Sequence, residues 1–333
     1  MSRKLVGFLV AVGLVLTAFC TQFVLAAESK PQALKVGFTG SLCEAPLHIA
    51  IEKGFFKEEG IEAEAIRLAP GTNFEAITAG RIDASFGLLA TLIQPLSNGL
   101  PIKITTGLHT GCDKIIAPAN KGINSITDLK GKRIGVPSLT SSPIMFAKRV
   151  LADQGVSVSD KKLEVEFLVF SNAELPLALE KGAIDAIAAN DPVAAKAAKE
   201  YNLNVLADSA TTAPYNKQYC CAAYVKDTLV AENPELAAKY TRAMQKAAAW
   251  IQNNQDETAK IQVEKKYVAG DAAFNATVLK TYSYIPSVKG AYDAFGLTAK
   301  QLQTIGILAS SVNVEKLHTN SFAFLKGVKD SIQ

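Results

Sequence analysis

Short apolar runs with strand character alternate with helix-like segments along most of this 333-residue chain, and that alternation constrains the fold more than any other feature. Such a series specifies an α/β domain whose sheet is largely parallel. The first series reads as strand 34–38, helix 46–53 stopped by Gly54, strand 61–69, helix 73–80, strand 82–89, helix 91–98, and extended segments 101–109 and 114–117. The pattern then restarts with a short helix 126–131 and strand 133–136. A helix follows that opens at Ser142-Pro143 and stops at Gly155, where serine before proline and a terminal glycine are start and stop signals. Strand 163–170, helix 175–181, strand 184–188, a helix begun at Asp191-Pro192 and strand 203–207 complete the second series.

After Tyr219 an extended piece, 220–225, leads into sequence that is nearly all helical to the end. Asn233-Pro234 caps a long helix, in which Leu236, Tyr240, Met244, Ala247 and Ile251 share one face and read as core, as does Trp250. Two series imply two lobes: 34–113 plus 220–333, and 120–213. Crossings near 113–120 and 213–222 would join them as a hinge, and a cleft between hinged lobes is a common ligand site.

The amino terminus reads as a signal peptide over 1–27: Arg3 and Lys4, an apolar core over 5–19, and Val24 and Ala26 in cleavage spacing. The expectation is an exported, periplasmic protein cut near Ala26 or Ala27. Lipid attachment at Cys20 is the alternative, opposed by Phe19 where a small residue is wanted. The apolar run is short for a spanning helix. Removing Arg3 and Lys4 takes the formal charge from +4 to +2. With no basic block, nucleic acid is not an expected partner.

Catalytic signatures are not found. No nucleophile elbow, Walker loop, dinucleotide fingerprint or HExxH run occurs. His48 lies inside the first helix and His318 stands alone in the tail. A Cys112–His109 nucleophile is set aside, because neighbouring strand positions aim side chains apart. No enzymatic activity and no cofactor are expected. What the chain does offer is a strand ending where a helix begins, over 34–60, which presents free backbone N–H groups able to hold a small anion.

Four runs, EKGFFKEEGIEAE (52–64), AGRIDASFG (79–87), DLKGKRIGVP (128–137) and LEKGAIDAIAANDP (179–192), resemble in this order the solute-binding proteins of ABC transporters, in the branch that takes nitrate, sulfonates, taurine and thiamine precursors. The resemblance extends over about residues 33–255. It implies a two-lobed (type II) periplasmic binding protein fold, each lobe a doubly wound sheet flanked by helices, with two hinge crossings. It also implies a monomeric receptor that closes on a small polar solute and presents it to a membrane permease and its ATPase. Most of the motif residues are structural. The contacts it implies lie at the strand-to-helix turns: Ser41, Leu42, Cys43 and Glu44, with Ala90 and Thr91, in the first lobe; Ser138, Thr140, Ser141 and Ser142, with Asn190 and Asp191, in the second. Several of these hydroxyls can equally cap helices. Glu44 would repel an anion unless it points to solvent, arginine is scarce, and Arg133 lies in a structural run. Nitrate or a simple sulfonate is therefore not the default ligand.

Four cysteines remain after export, Cys43, Cys112, Cys220 and Cys221, all expected at the cleft mouth or hinge. Three readings stay open. Cys112 could pair with Cys220 or Cys221, since exported chains often carry disulfides. The thiols could simply pack. Or His109, Cys112 and Cys221 could meet the solute, or Cys43, His109, Cys112, Cys220 and Cys221 could hold a soft metal, although no spacing selects one. The Cys220-Cys221 position resembles the cysteine-rich iron-binding run of eukaryotic thiamine-pyrimidine synthases. Here Ala222 and Ala223 follow, so the run is incomplete. A metal-dependent enzyme of that type, or a receptor for a thiol or metal complex, is the alternative function.

Overall fold

The computed structural model describes residues 30–69, 71–159 and 162–332. The expected signal peptide and Cys20 lie outside the described residues. The strands are β1 (Gln32–Phe38), β2 (Ile61–Arg67), β3 (Ala84–Leu88), β4 (Ile102–Thr110), β5 (Asp113–Pro118), β6 (Arg133–Val136), β7 (Val158–Ser159), β8 (Lys162–Leu163), β9 (Glu166–Val169), β10 (Ala186–Asn190), β11 (Leu203–Asp208) and β12 (Tyr219–Lys226). They form two five-stranded sheets, ordered β2-β1-β3-β12-β4 and β11-β5-β10-β6-β9, plus a small β7-β8 ladder.

In the first sheet β1 runs parallel to β2 and β3, while β12 lies antiparallel between β3 and β4. In the second, β6 runs parallel to β9 and β10, while β5 is antiparallel to β10 and β11. The strands that enter from a crossing, β5 and β12, are thus the antiparallel members. The first crossing is only two residues, Gly111 and Cys112, both at positive φ (93° and 104°). A reversal that tight needs left-handed backbone, which glycine adopts freely and cysteine rarely. The second crossing is longer, Ser209 to Gln218.

Helices cover both faces, so β10 reads Ala-Ile-Ala-Ala and is fully buried up to Asn190. The long helix Pro234–Ile251 buries its expected face, and Asn233 Oδ1 caps it through the Leu236 N–H at 3.1 Å. Trp250 departs from expectation: it is half-buried, with the Lys53 ammonium 4.6 Å above its ring. Other differences are local. Residues 126–131 make only a 3-10 turn, Thr127–Leu129, and the expected strand 163–170 divides into β8 and β9. The carboxyl-terminal segments cover the β4 edge, through Ile104 N–H to Ser321 O (2.8 Å) and Gly107 N–H to Ser287 O (2.9 Å).

One apolar cluster runs from Ile77, Leu92, Ile104 and Tyr224 beside the first sheet to Ile115, Val136, Phe146 and Val150 beside the second. Arg149 Nε donates to Gln301 Oε1 at 2.7 Å, joining helix Ser142–Asp153 to helix Val288–Thr304. The two lobes are therefore shut on each other. Among the described residues no helix is long and apolar enough to cross a membrane.

Candidate functional site

The first strand-to-helix turn is not free to take an anion. The N–H groups of Thr39 (2.8 Å), Gly40 (2.6 Å) and Ser41 (2.8 Å), with the Thr39 hydroxyl (2.9 Å), donate to the Glu44 carboxylate. The chain's own carboxylate fills the donor cradle that the sequence offered to a ligand. Glu44 does not point to solvent: Leu42, Cys43 and Glu44 are buried and Ser41 is half-buried. Burial pushes the Glu44 carboxyl up, against the pull of those hydrogen bonds.

A small cavity of about 30 Å³ lies between helix Ser142–Asp153 and the second crossing, while a larger, shallow hollow of about 490 Å³ opens at Lys130, Leu163 and Glu166, away from both crossings. Ser142, Phe146 and Arg149 project into the small cavity from one helix face, at i, i+4 and i+7. Tyr215, Gln218, Tyr219 and Cys220 close it from the second crossing and the start of β12. Ala90 and Thr298 complete the first-lobe side, and Asp113 and Ser209 line it where the chain crosses between the sheets. Arg149 is 7% exposed. Its guanidinium donates to Gln301 and Gln218, both neutral acceptors, and lies 5.1 Å from the centre of the Tyr215 ring. No carboxylate within 4 Å pairs with it among the described residues. Burial lowers its pKa. The Asp153 and Asp113 carboxylates, neither in direct contact, offset part of that burial cost.

Asp113 accepts hydrogen bonds from the Ser142 hydroxyl and the Asn190 amide. Burial first, with the nearby Asp191 charge, pushes its carboxyl up to about 7. Behind it Lys114 sits between Asp191 (2.6 Å) and Asp208 (3.0 Å), and Tyr282 donates to Asp191 at 3.0 Å. Asn190 and Asp191 are thus engaged within the hinge. Asp191 is buried and caps the Ala195 N–H at 3.1 Å, while its own N–H bonds Cys112 O.

The other expected contacts divide. Ser142 and Ala90 line the cleft. Ser138, Thr140 and Ser141 do not: Ser138 Oγ meets Thr140 Oγ1 at 3.3 Å and Ser141 Oγ donates to Ser138 O at 2.8 Å, in a turn whose Leu139 is exposed. The Thr91 hydroxyl donates to Leu88 O at 2.7 Å. Asp113, Phe146, Arg149, Tyr215 and Gln218 also line the cavity and were not among the contacts expected from the sequence.

The cysteines are not all at the cleft. Cys43, Cys112 and Cys221 are buried, and only Cys220 lines it. Cys112 and Cys220 form a disulfide across the two crossings; Cys43 and Cys221 are free thiols. The sulfurs of Cys43, Cys112 and Cys221 lie within 4.8 Å of one another. With Cys112 bonded to Cys220, two thiolate ligands remain, fewer than a structural soft-metal site uses. His109 is buried and far from acting on Cys112: Nδ1 faces Thr110 O (3.0 Å), Nε2 faces Cys43 O (3.1 Å), and Tyr282 stacks on the ring at 5.5 Å. Burial lowers its pKa.

A family model described as NMT1/THI5 like matches residues 44–258, more than half of the chain. The riboflavin-binding protein RibY of Chloroflexus aurantiacus is 24% identical over 310 residues, which cover 87% of this chain and 85% of RibY. Two solved structures share the fold. The periplasmic aliphatic sulphonate binding protein SsuA of Escherichia coli matches with TM-score 0.72 at 16% identity, over 91% of this chain and 96% of SsuA. The periplasmic nitrate-binding protein NrtA of Synechocystis PCC 6803 matches with TM-score 0.69 at 17% identity, over 87% and 86%.

Proposed function

The chain belongs to the NMT1/THI5-like family, and from that premise we propose that it is the extracytoplasmic solute-binding receptor of an ABC importer. It captures a small solute carrying an acidic group and a flat or polar body. The relatives named above are binding proteins, and they do not favour the pyrimidine-synthase alternative.

Arg149 is the observation that carries the ligand reading. A guanidinium taken out of water and hydrogen-bonded only to neutral acceptors is compensated by the Asp153 and Asp113 carboxylates from a distance, with no carboxylate in direct contact. An acidic group on the solute supplies that partner in a forked, charge-assisted contact. Phe146, Tyr215 and Tyr219 offer ring faces for the body of the solute, and Asp113, Ser142 and Gln218 offer hydrogen bonds. The lobes, redrawn from the expected 34–113 plus 220–333 and 120–213 to 32–110 plus 219–332 and 113–208 because β5 joins the second sheet, move about the two crossings, and the closed state gains contacts from both. The receptor works in the periplasm, as a monomer, and hands its cargo to a membrane permease driven by an ATPase.

The test is a thermal-shift screen with sulfonates, carboxylates, nitrate, phosphorylated and free flavins, and pyrimidines. A cognate solute at about a hundred times its Kd adds about 2.7 kcal/mol of stability. Stabilisation by an acidic member, lost in Arg149→Ala, is the expected result. A panel in which only uncharged or cationic members stabilise would refute the role given to Arg149; no stabilisation by any member would count against the receptor itself.

A further inference from the structure

Four sulfurs meet where the two crossings pass each other. Cys112 is held at φ 104° by its disulfide to Cys220 and by the Asp191 N–H on its carbonyl. Cys43 and Cys221 approach from the first turn and from β12, both as free thiols, both within 4.8 Å of Cys112 Sγ. Cys220 faces the ligand cleft; the other three do not. A bonded pair with two free thiols against the inner sulfur, and a leaving sulfur on the cleft side, is the arrangement of an exchange relay rather than of inert packing.

We propose that Cys43 attacks Cys112 and moves the bridge, so that Cys220 is a masked thiol of the ligand cleft, unmasked without any external reductant. The Cys43 thiol gives up its proton, and the thiolate forms a bond to Cys112 Sγ. The Cys112–Cys220 bond breaks, and Cys220 leaves as a thiolate that takes up one proton. One disulfide and two thiols are present before and after, so no electron enters or leaves. The bridge then ties the first turn to the first crossing inside one lobe, the second crossing is released, and the cleft acquires a modifiable thiol.

Cys43 rather than Cys221 is the attacker because a hydroxyl able to donate stands beside its sulfur, while Cys221 is buried with no such hydroxyl among the described residues. The Ser41 hydroxyl lies 3.1 Å from Cys43 Sγ. Burial pushes the Cys221 thiol up, so it keeps its proton.

The experiment treats the oxidised, folded, full-length protein with N-ethylmaleimide at about pH 8.5, the ordinary thiol pKa. Disulfide-linked and labelled peptides are then mapped by mass spectrometry after acid quenching. The expected result is label on Cys220 together with a Cys43–Cys112 linked peptide, both growing in at one rate. Ser41→Ala slows that rate at least about tenfold, as loss of one hydrogen bond to a charged acceptor does. Cys43→Ser abolishes it, while Cys221→Ser, checked for an unchanged melting temperature, retains it. Three results would overturn the proposal: no native-state labelling of Cys220 where the denatured protein titrates three thiols, Cys20 included; label on Cys43 or Cys221 with Cys112–Cys220 intact; or a Cys112–Cys221 link in place of the expected one.

Discussion

A guanidinium buried beside neutral amides destabilises the empty protein and rewards the arrival of an anion, so the two effects of removing it have opposite signs. Arg149→Met is expected to leave ligand-free stability unchanged or raise it by up to about 2 kcal/mol. The same substitution weakens solute binding by about 2–5 kcal/mol, the loss typical of one partner in a buried charge pair. Calorimetry of unfolding and of binding checks both signs; a large loss of ligand-free stability would mean that Arg149 is structural. Asp113 gives a pH dependence. Its folded pKa, about 7, lies above the ordinary 3.8, so the folded state holds the proton longer than the unfolded chain. The contribution is complete below about pH 4 and is lost as pH rises through about 7. Asp113→Asn should flatten that fall, so its melting temperature gains on the parent protein between pH 5 and pH 8. An unchanged gap across that interval would contradict the shift. These two residues were hidden from the sequence for different reasons. Arg149 follows Ser142 and Phe146 at helical spacing, but which face of that helix meets the cavity is set by how the second crossing packs against it, which no local pattern encodes. Asp113 depends on where a crossing bends. Glu44 is the reverse case: Ser41-Leu42-Cys43-Glu44 has the capping-box spacing, which predicts a carboxylate folded back onto its own turn.

At the scale of elements, the strand–helix alternation was legible because each strand is a short apolar run bounded by turn residues, and because Asn233-Pro234 and Ser142-Pro143 mark helix starts by local chemistry. Sheet order was not legible. The placement of β12 between β3 and β4 is a pairing across more than a hundred residues, fixed by tertiary packing and not by any local pattern. That strand begins at Tyr219, whose ring lies between two glycines on other elements. A methyl group added at Gly107 on β4 would sit 2.7 Å from Tyr219 Cγ, and one added at Gly290 on helix Val288–Thr304 would sit 3.0 Å from Cδ2. Neither glycine is needed for its backbone angles; both are needed for space. Gly290→Ala is therefore expected to cost about 1–3 kcal/mol by overpacking. Because Tyr219 lines the cleft, the displaced ring should also weaken solute binding, and paired melting and binding measurements would show it. A variant that loses neither would show that the ring moves freely between its neighbours.

For the whole molecule, the restart of the alternation after residue 120 announced two lobes, whereas their closure rests on a cluster of apolar side chains, contributed from both sides, that no single stretch reveals. The Cys112–Cys220 bridge spans 108 residues, the entire second lobe and both crossings. Cross-linking so long a loop restricts the unfolded chain and stabilises the fold by about 2–5 kcal/mol. The two half-bridge variants are not equivalent, however. Both are made on a Cys221→Ser background, because Cys43 and Cys221 also lie within 4.8 Å of each other and can bridge; there Cys112→Ser removes the sulfur that Cys220 holds and that Cys43 can reach, so no replacement bridge forms at that point. Cys220→Ser leaves Cys112 and Cys43 within 4.8 Å, able to close a bridge that restores part of the lost restriction. Under oxidising conditions Cys112→Ser should therefore melt below Cys220→Ser, and a reductant should erase most of the difference. Scanning calorimetry of both variants, with and without dithiothreitol, decides it: equal melting in oxidant would mean that the buried thiols never substitute for the native bridge, and that the two crossings depend on one fixed cross-link.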